Sequence, residues 1–412
     1  MPSWSRLARR FLHSWLALAL GLAAMLYLLH LQTIHLISWG PLTPVFMGAS
    51  RIVDVFCLPF TGIAGVLVHH TGNRHGLLFQ LLRAILAGMF YGTLARSVAR
   101  RIRLRVEEGV SPSRRRLLVD GLVLVAGTMA AGLGGWATLV EPSRLRVRRY
   151  ELTLEGLPPA LDGLRIGQLS DTHYGPYVSA AHIRRAVELL NAEQLDLVAM
   201  TGDYVHRSSA SIATGIALLA EARSRFGSVA VLGNAEHWRG PDECQAELRR
   251  HGIHVIDNDR LFLTAEGLQD HELPDQSLAV CGLGDHWGDV QDTDAALRGV
   301  SEGCPRVMLT HNPDTAEKMH RRRPEARFDL QLSGHTHGGQ VRVPGLGSPA
   351  VPSRYGRKYA GGLVQGPSWP VLISRGVGVS VAPMRLGVLP EVVVLTLRQR
   401  RSSRPHPTRR ET

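Results

Sequence analysis

Between residues 163 and 340 the sequence repeats a pattern that few folds accommodate. A short apolar run is followed each time by a polar stretch carrying metal-type ligands. The run 163–169 leads to Asp171 and His173, in Ser-Asp-Thr-His. The run 196–201 leads to Asp203, in Thr-Gly-Asp-Tyr, and 228–232 leads to Asn234, in Gly-Asn-Ala-Glu-His-Trp. The run 306–310 leads to His311, in Thr-His-Asn-Pro. Phe328 to Leu332 then opens into Gly334-His335-Thr336-His337-Gly338-Gly339. Two imidazoles two residues apart, leaving a strand end, point the same way. The flanking glycines let the backbone turn sharply beside a ligand. Each stretch alone has an ordinary reading: Asp171 or Asp203 caps a turn, Asn234 holds a left-handed bend, His311 caps a helix. Five in succession at strand tips point instead to one shared site, because ligands in layered α/β folds bind beyond the strand ends.

The surrounding pattern supports those strands. Strands are expected at 146–154, 163–169, 196–201, 228–232, 277–283, 306–310, 328–332, 371–374 and 391–397. Helices are expected at 179–192, 211–225, 241–251, 292–299 and 314–322. The alternation predicts an α/β (α+β layered) domain over 143–397 with a substantial buried core.

The first third reads differently. Apolar segments at 11–30, 52–68, 77–95 and 117–140 are long enough to cross a bilayer, and 31–48 is a weaker candidate. Residues 1–142 are therefore expected to form an all-α transmembrane bundle of four or five helices. Arg6, Arg9 and Arg10 place the N-terminus inside, and eight arginines between 96 and 116 place that loop inside as well. An even number of spans then separates them, and the last span exits outward. The 143–397 domain is expected to be extracytoplasmic, on a bacterial inner membrane. Ser113-Arg114-Arg115-Arg116-Leu117-Leu118 reads either as an embedded twin-arginine export signal or as an ordinary basic anchor. Arg144, Arg146, Arg148 and Arg149, just past the last span, run against this topology. Asp54 and Arg83 lie inside apolar segments and suit a structural ion pair.

Charge bears on the choice of partner. The net charge is +12, which raises the question of nucleic acid. Residues 1–150 hold 18 arginines, no lysine and five acids, and residues 398–412 hold six arginines against one glutamate. The stretch between them is net −6. The positive charge flanks apolar segments and a basic, disordered tail at 398–412. That distribution fits membrane topology better than a nucleic-acid groove, and no nucleic-acid partner is expected. Cys57, Cys244, Cys281 and Cys304 show no zinc-finger spacing and read as buried thiols.

Aspartate, asparagine and histidine are oxygen and nitrogen ligands without thiolate. They suit Mn, Fe or Zn in a catalytic site better than a structural zinc. Two such cations, about 3.5–4 Å apart, can clamp a phosphoryl group for in-line attack, with one carboxylate shared between them. The ordered series Asp-x-His, Gly-Asp, Gly-Asn, His, Gly-His-x-His resembles the calcineurin-like metallophosphoesterases, across roughly residues 150–397. Gly-Gly-Gln-Val-Arg at 338–342, Ser374-Arg375-Gly376 and Arg385-Leu386-Gly387 resemble the membrane-linked bacterial branch of that family. The resemblance implies a β-sandwich of two mixed sheets flanked by helices. It implies that Asp171, His173 and His337 hold one divalent transition metal, that Asn234, His311 and His335 hold a second, and that Asp203 bridges them.

One position departs from the family. Its third motif usually reads Gly-Asn-His, and here Ala235 follows Asn234. The missing histidine serves in the family as leaving-group acid or phosphate contact. His237, two residues on, is the candidate catalytic stand-in, and its ordinary reading is a packed histidine beside Trp238. Glu236 reads as a partner of the ligands or a helix cap. Asp285 and His286 follow a strand and are placed to line the cleft. The function expected is hydrolysis of a phosphoester or pyrophosphate bond by a metal-bound hydroxide, on a small, lipid-linked or envelope substrate. Hydrolysis of the UDP-2,3-diacylglucosamine pyrophosphate is one alternative. A non-catalytic metal-binding sensor or scaffold is another, and transport through the N-terminal bundle is disfavoured by its few polar residues.

Overall fold

The computed structural model describes residues 132–206, 209–380 and 382–400, together with 121, 125, 128 and 129. The segments at 11–30, 31–48, 52–68 and 77–95, most of 117–140, the Arg114–Arg116 motif, Asp54, Arg83, Cys57 and the tail from 401 lie outside the described residues. Among those described, no helix is long and apolar enough to cross a membrane. The chain divides into two units, Met1–Val140 with Ala382–Met384, and Glu141–Val381 with Arg385–Thr412. In the first, Trp136–Val140 forms a π-helical turn, and Thr138 Oγ1 donates to Gly134 O at 2.8 Å.

The second unit carries thirteen described strands in two sheets. They are β1 (Arg146–Leu154), β2 (Arg165–Leu169), β3 (Leu197–Met200), β4 (Ser228–Ala230), β5 (His254–Val255), β6 (Arg260–Thr264), β7 (Gly267–Gln269), β8 (Leu278–Gly282), β9 (Arg306–Leu309), β10 (Leu330–Ser333), β11 (Gly362–Gln365), β12 (Pro370–Ile373) and β13 (Glu391–Gln399). The helices are α1 (Ala180–Asn191), α2 (Ile212–Leu219), α3 (Asn234–His237), α4 (Pro241–Arg250), α5 (Thr293–Ala296) and α6 (Thr315–Arg322). One sheet runs β1-β13-β2-β3-β4-β5 and the other β11-β12-β10-β9-β8-β6-β7. β2, β3 and β4 pair in parallel, as do β8, β9, β10 and β12. Mixed α/β sheets are thus the fold.

Period-two side chains divide the core into three layers. Leu197 and Ala199 face inward between the sheets, with Val280, Leu309 and Leu332 opposite. Val198 and Met200 face outward under α1, α2 and α4, against Ile183, Ile216 and Leu248. On the far side Ala279, Cys281 and Met308 pack under α5 and α6, against Ala296 and Met319. Strands buried on both faces read as continuous apolar runs, which is why they were legible. Cys244, Cys281 and Cys304 are free, buried thiols.

The sequence placed no strand between 233 and 276, where β5, β6 and β7 lie, and none at β11. β5 and β7 are two and three residues long, too short to show alternation. β6 is apolar, but its turn into β7 is only Ala265-Glu266, which left the pair without a loop signal.

Asp257 follows β5 and accepts from Leu232 N at 3.0 Å, while its buried Oδ2 has no partner. Burial pushes its carboxyl up to about 7, helped by Asp289 and Asp285. The folded pKa therefore lies above the unfolded value of 3.8. Ionisation opposes the fold: the penalty is absent below about pH 4, grows to about pH 7 and is constant above. Asp257→Asn keeps the Leu232 bond. It should raise the melting temperature by about 3–10 °C at pH 8, with the gain vanishing near pH 4. Equal gains at both pH values in thermal melts would contradict this account.

Candidate metal centre

β2, β3, β9 and β10 run parallel where they pair, and the turns at their C-terminal ends carry the candidate ligands. The backbone there is unusual. Asp171, His173, Asp203, His335 and His337 have φ of 53°, 45°, 57°, 69° and 48°. Left-handed conformations are uncommon away from glycine, and their concentration here marks a site whose geometry the surroundings enforce. Two glycines are required by close approach. A Cβ on Gly202 would lie 2.5 Å from Gly233 N, and one on Gly334 would lie 2.1 Å from Asp171 Oδ2.

The side chains converge in two groups, Asp171, His173 and His337, and Asp203, His311 and His335, all buried. His173 Nε2 lies 3.0 Å from His337 Nε2, and His337 Nε2 lies 3.3 Å from Asp171 Oδ1. His335 Nδ1 lies 3.1 Å from His311 Nε2. A single oxygen joins the groups: Asp203 Oδ2 is 3.4 Å from His173 Nε2 and 3.4 Å from His311 Nε2. The other oxygen, Asp203 Oδ1, accepts from Ala235 N at 2.8 Å. Asn234 begins α3 beside that contact, and its buried Oδ1 has no partner. An orphaned buried acceptor next to a histidine–carboxylate cluster suits a cation ligand.

Electrostatics point the same way. Burial alone would raise Asp171, yet His337 and His311 hold it down to about 2. Asp203 is held below the usual carboxylate range in the same manner, by His311, His173 and His335 against burial. Burial lowers His173 to about 4, and burial with His311 lowers His335 to about 3. His311 goes the opposite way: despite burial, Asp203 and Asp171 hold it well above the imidazole range. Asp203 and Asp171 thus favour positive charge at His311, which suits a cation held among these groups.

Further residues fix these groups. His311 Nδ1 lies 2.7 Å from Thr201 O, an arrangement that directs Nε2 at Asp203. Ser170 Oγ donates to Asp171 Oδ2 at 2.6 Å, and His335 N donates to both Asp171 oxygens. Glu236 accepts four backbone N–H groups, from Asp203 and Gly233 on one oxygen and Tyr204 and Val205 on the other. Burial, then the charge of Asp203, pushes its carboxyl up to about 8 against those donors. Arg385 is fully buried, donates to Arg375, Gly376 and Gly378 carbonyls, and lies 3.2 Å from His337 Nδ1. Sequence reasoning gave Arg385 no role, although the Arg385-Leu386-Gly387 triplet had marked it.

His237 ends α3, and a Cβ on Gly288 would lie 2.5 Å from its Cβ. Its Nε2 is enclosed and has no partner. The loop bearing Gly288 also sets Trp287 edge-on to His335, with ring centroids 4.5 Å apart. Asp285 Oδ2 shapes that loop by accepting from Trp287 N and Gly288 N. His286 is half-buried, and burial lowers its pKa.

Two mixed sheets with a histidine–aspartate cluster beyond the C-terminal ends of their parallel strands define a class that comparison with known proteins identifies. A family model described as calcineurin-like phosphoesterase matches residues 164–339. The uncharacterized metallophosphoesterase YkuE of Bacillus subtilis (strain 168) is 30% identical over 69% of this chain and 97% of its own length. The phosphodiesterase YaeI of Escherichia coli (strain K12) is 31% identical over 69% of this chain and 99% of its own. A transmembrane protein with metallophosphoesterase domain from Bos taurus is 28% identical over 69% of this chain and 63% of its own. Among solved structures, the 5'-nucleotidase precursor from Thermus thermophilus aligns with a TM-score of 0.34 and 14% identity, over 52% of this chain and 49% of that one. The chain belongs to the calcineurin-like phosphoesterase family. It is a phosphoester hydrolase, and its substrate class is small phosphorylated compounds.

Proposed function

We propose that this chain is a membrane-anchored phosphodiesterase working with two divalent transition metals, Mn, Fe or Zn. Asp171, His173 and His337 would hold one cation, Asn234, His311 and His335 would hold the other, and Asp203 would serve both. The observation that carries this reading is the shared distance of Asp203 Oδ2, 3.4 Å to an imidazole of each group. When bound, such a pair of cations polarises phosphoryl oxygens and acidifies water at neutral pH. The protein's own groups do the positioning. Ala235 N and the Glu236 cradle aim Asp203, Ser170 aims Asp171, and Thr201 O sets the His311 tautomer. His237, whose enclosed Nε2 has no partner in the fold, is the candidate proton donor to the leaving oxygen. Phosphodiesters are favoured as substrate by the name of the Escherichia coli relative.

Residues 1–142 form the anchor, 143–397 form an extracytoplasmic catalytic domain, and 398–412 are a basic tail. The apolar segments and the arginine distribution support this, and relatives from Bos taurus and Danio rerio are named as transmembrane proteins. An anchor brings the domain to lipid-linked or envelope substrates. Purified full-length protein in detergent, assayed against phosphoesters with Mn, Fe or Zn, should hydrolyse diesters and lose activity to a chelator. No turnover with any metal would leave the scaffold reading standing. A reporter fused after residue 397 should be active only outside the membrane. Activity inside would overturn the topology and favour UDP-2,3-diacylglucosamine as substrate.

A further inference from the structure

At the end of the sheets that carries the candidate ligands lies a concavity of about 440 Å³, lined by Arg148, Arg342, Arg357, Arg375 and Glu391 among others. Its location follows from the topology. β13 runs antiparallel to β2, so Glu391 starts where β2 ends, and β12 runs parallel to β10, so Arg375 lies past the same end as His335 and His337. Gly338, the residue after His337, forms part of its wall.

The charge in this cavity is not balanced. Four guanidinium groups face one carboxylate. Glu391 is already engaged, accepting from Arg375 N at 3.0 Å and from Arg375 Nη1 at 2.9 Å, with Arg148 Nε 3.8 Å away. Arg342 and Arg357 are exposed and form no ion pair among the described residues. Unlike Arg149, Arg165, Arg250 and Arg323, which pair with carboxylates, they share one concave wall with two further guanidinium groups. Glycines make the room these side chains occupy. A Cβ on Gly361 would lie 2.7 Å from Arg375 Cγ, and one on Gly347 would lie 2.9 Å from Arg357 Nη1. Guanidinium groups converging on a concave space, with no carboxylate left for two of them, suit the oxygens of a phosphate.

We propose that the Arg148–Arg342–Arg357–Arg375 cavity binds a phosphate group of the substrate other than the one cleaved. The proposal takes from the preceding reading only that the substrate is a phosphate compound. The same chemistry serves a soluble diphosphate and the phosphate head of an anionic lipid, and the choice between them is experimental.

The test measures binding, which does not depend on turnover. Full-length protein in neutral detergent, loaded with Mn, is titrated calorimetrically with inorganic pyrophosphate and, separately, with short-chain phosphatidic acid. Wild type is compared with Arg342→Ala/Arg357→Ala, whose side chains hold no ion pair that the fold needs. A second control, Arg184→Ala/Arg185→Ala on α1, removes the same charge elsewhere. Thermal melts and metal content confirm that each variant is folded. The cavity variant should bind at least one probe roughly ten- to a hundredfold more weakly, while the α1 variant binds like wild type. The probe that suffers the larger loss identifies the source, soluble or lipid. Equal affinities for wild type and cavity variant, or equal losses in both variants, would overturn the proposal. Arginine-dependent binding in a protein inactive on every ester would overturn the assignment to a substrate phosphate, because no phosphate is then cleaved, whereas activity without arginine-dependent binding would overturn this proposal and leave the catalytic reading standing.

Discussion

Asp203→Asn is expected to empty both metal positions and to lower turnover by roughly a thousandfold. The expectation rests on one oxygen. Asp203 Oδ2 lies equally far from His173 and His311, and Oδ1 is fixed by Ala235 N. Asparagine can keep the Ala235 bond, because its carbonyl oxygen replaces Oδ1. It must then present an amide NH₂ to both imidazole groups, where a negative oxygen stood. A cation loses a ligand and a charge at each position together. Elemental analysis should read about two metals per chain in wild type and well under one in the variant. His173→Ala should weaken one group more than the other, so that comparing the two variants separates bridging from simple ligation. Wild type holding one metal or none, or Asp203→Asn holding two, would end the two-metal reading.

The second large effect concerns the leaving group. Proton donation to a departing oxygen is typically worth about 10²–10⁴ in rate. It matters for a basic alkoxide and little for a phenolate or a phosphate, which depart without a proton. Ala235 is nearly buried and offers no proton. Ala235→His should therefore raise activity on alkyl phosphoesters far more than on aryl ones. His237→Ala should lower alkyl activity selectively, and Ala235→His should then rescue it. Unchanged alkyl-to-aryl ratios in both variants would show that His237 is a packing residue against Gly288. Turnover appearing only in Ala235→His would mean that the natural protein is a metal-binding scaffold.

The candidate site was legible because its ligands sit at fixed offsets from apolar runs. A strand end converts such an offset into a direction, so Asp171, Asp203, His311, His335 and His337, which the fold brings together, could be singled out as candidates from sequence. What escaped is long-range. Glu236, read as a partner of the ligands or a helix cap, is both, accepting from Asp203 N and Gly233 N, but its bonds to Tyr204 N and Val205 N could not be read from the residues around it. Arg385 reaches carbonyls at 375, 376 and 378 from a loop with no periodicity. The left-handed backbone of the ligands was also invisible, since aspartate and histidine are not glycine. The arginine cavity assembles β1, the 338–361 loops and the start of β13, which lie far apart in sequence.

The pairing of β1 with β13 has a consequence for how the domain is made. The two strands align over nine residue pairs, from Arg146 with Glu391 to Leu154 with Gln399. Among the described strands, β1 leaves the ribosome first and β13 last. At about 5–20 residues per second, β1 waits on the order of ten to fifty seconds for its partner. Its exposed positions are mostly arginines and other polar residues, a composition that resists wrong pairing during the wait. Loop closure on this scale makes the final docking slow. A chain stopped before residue 391 would leave both β1 and the flank of β2 uncovered, and such a product is a substrate for proteolysis rather than a smaller enzyme.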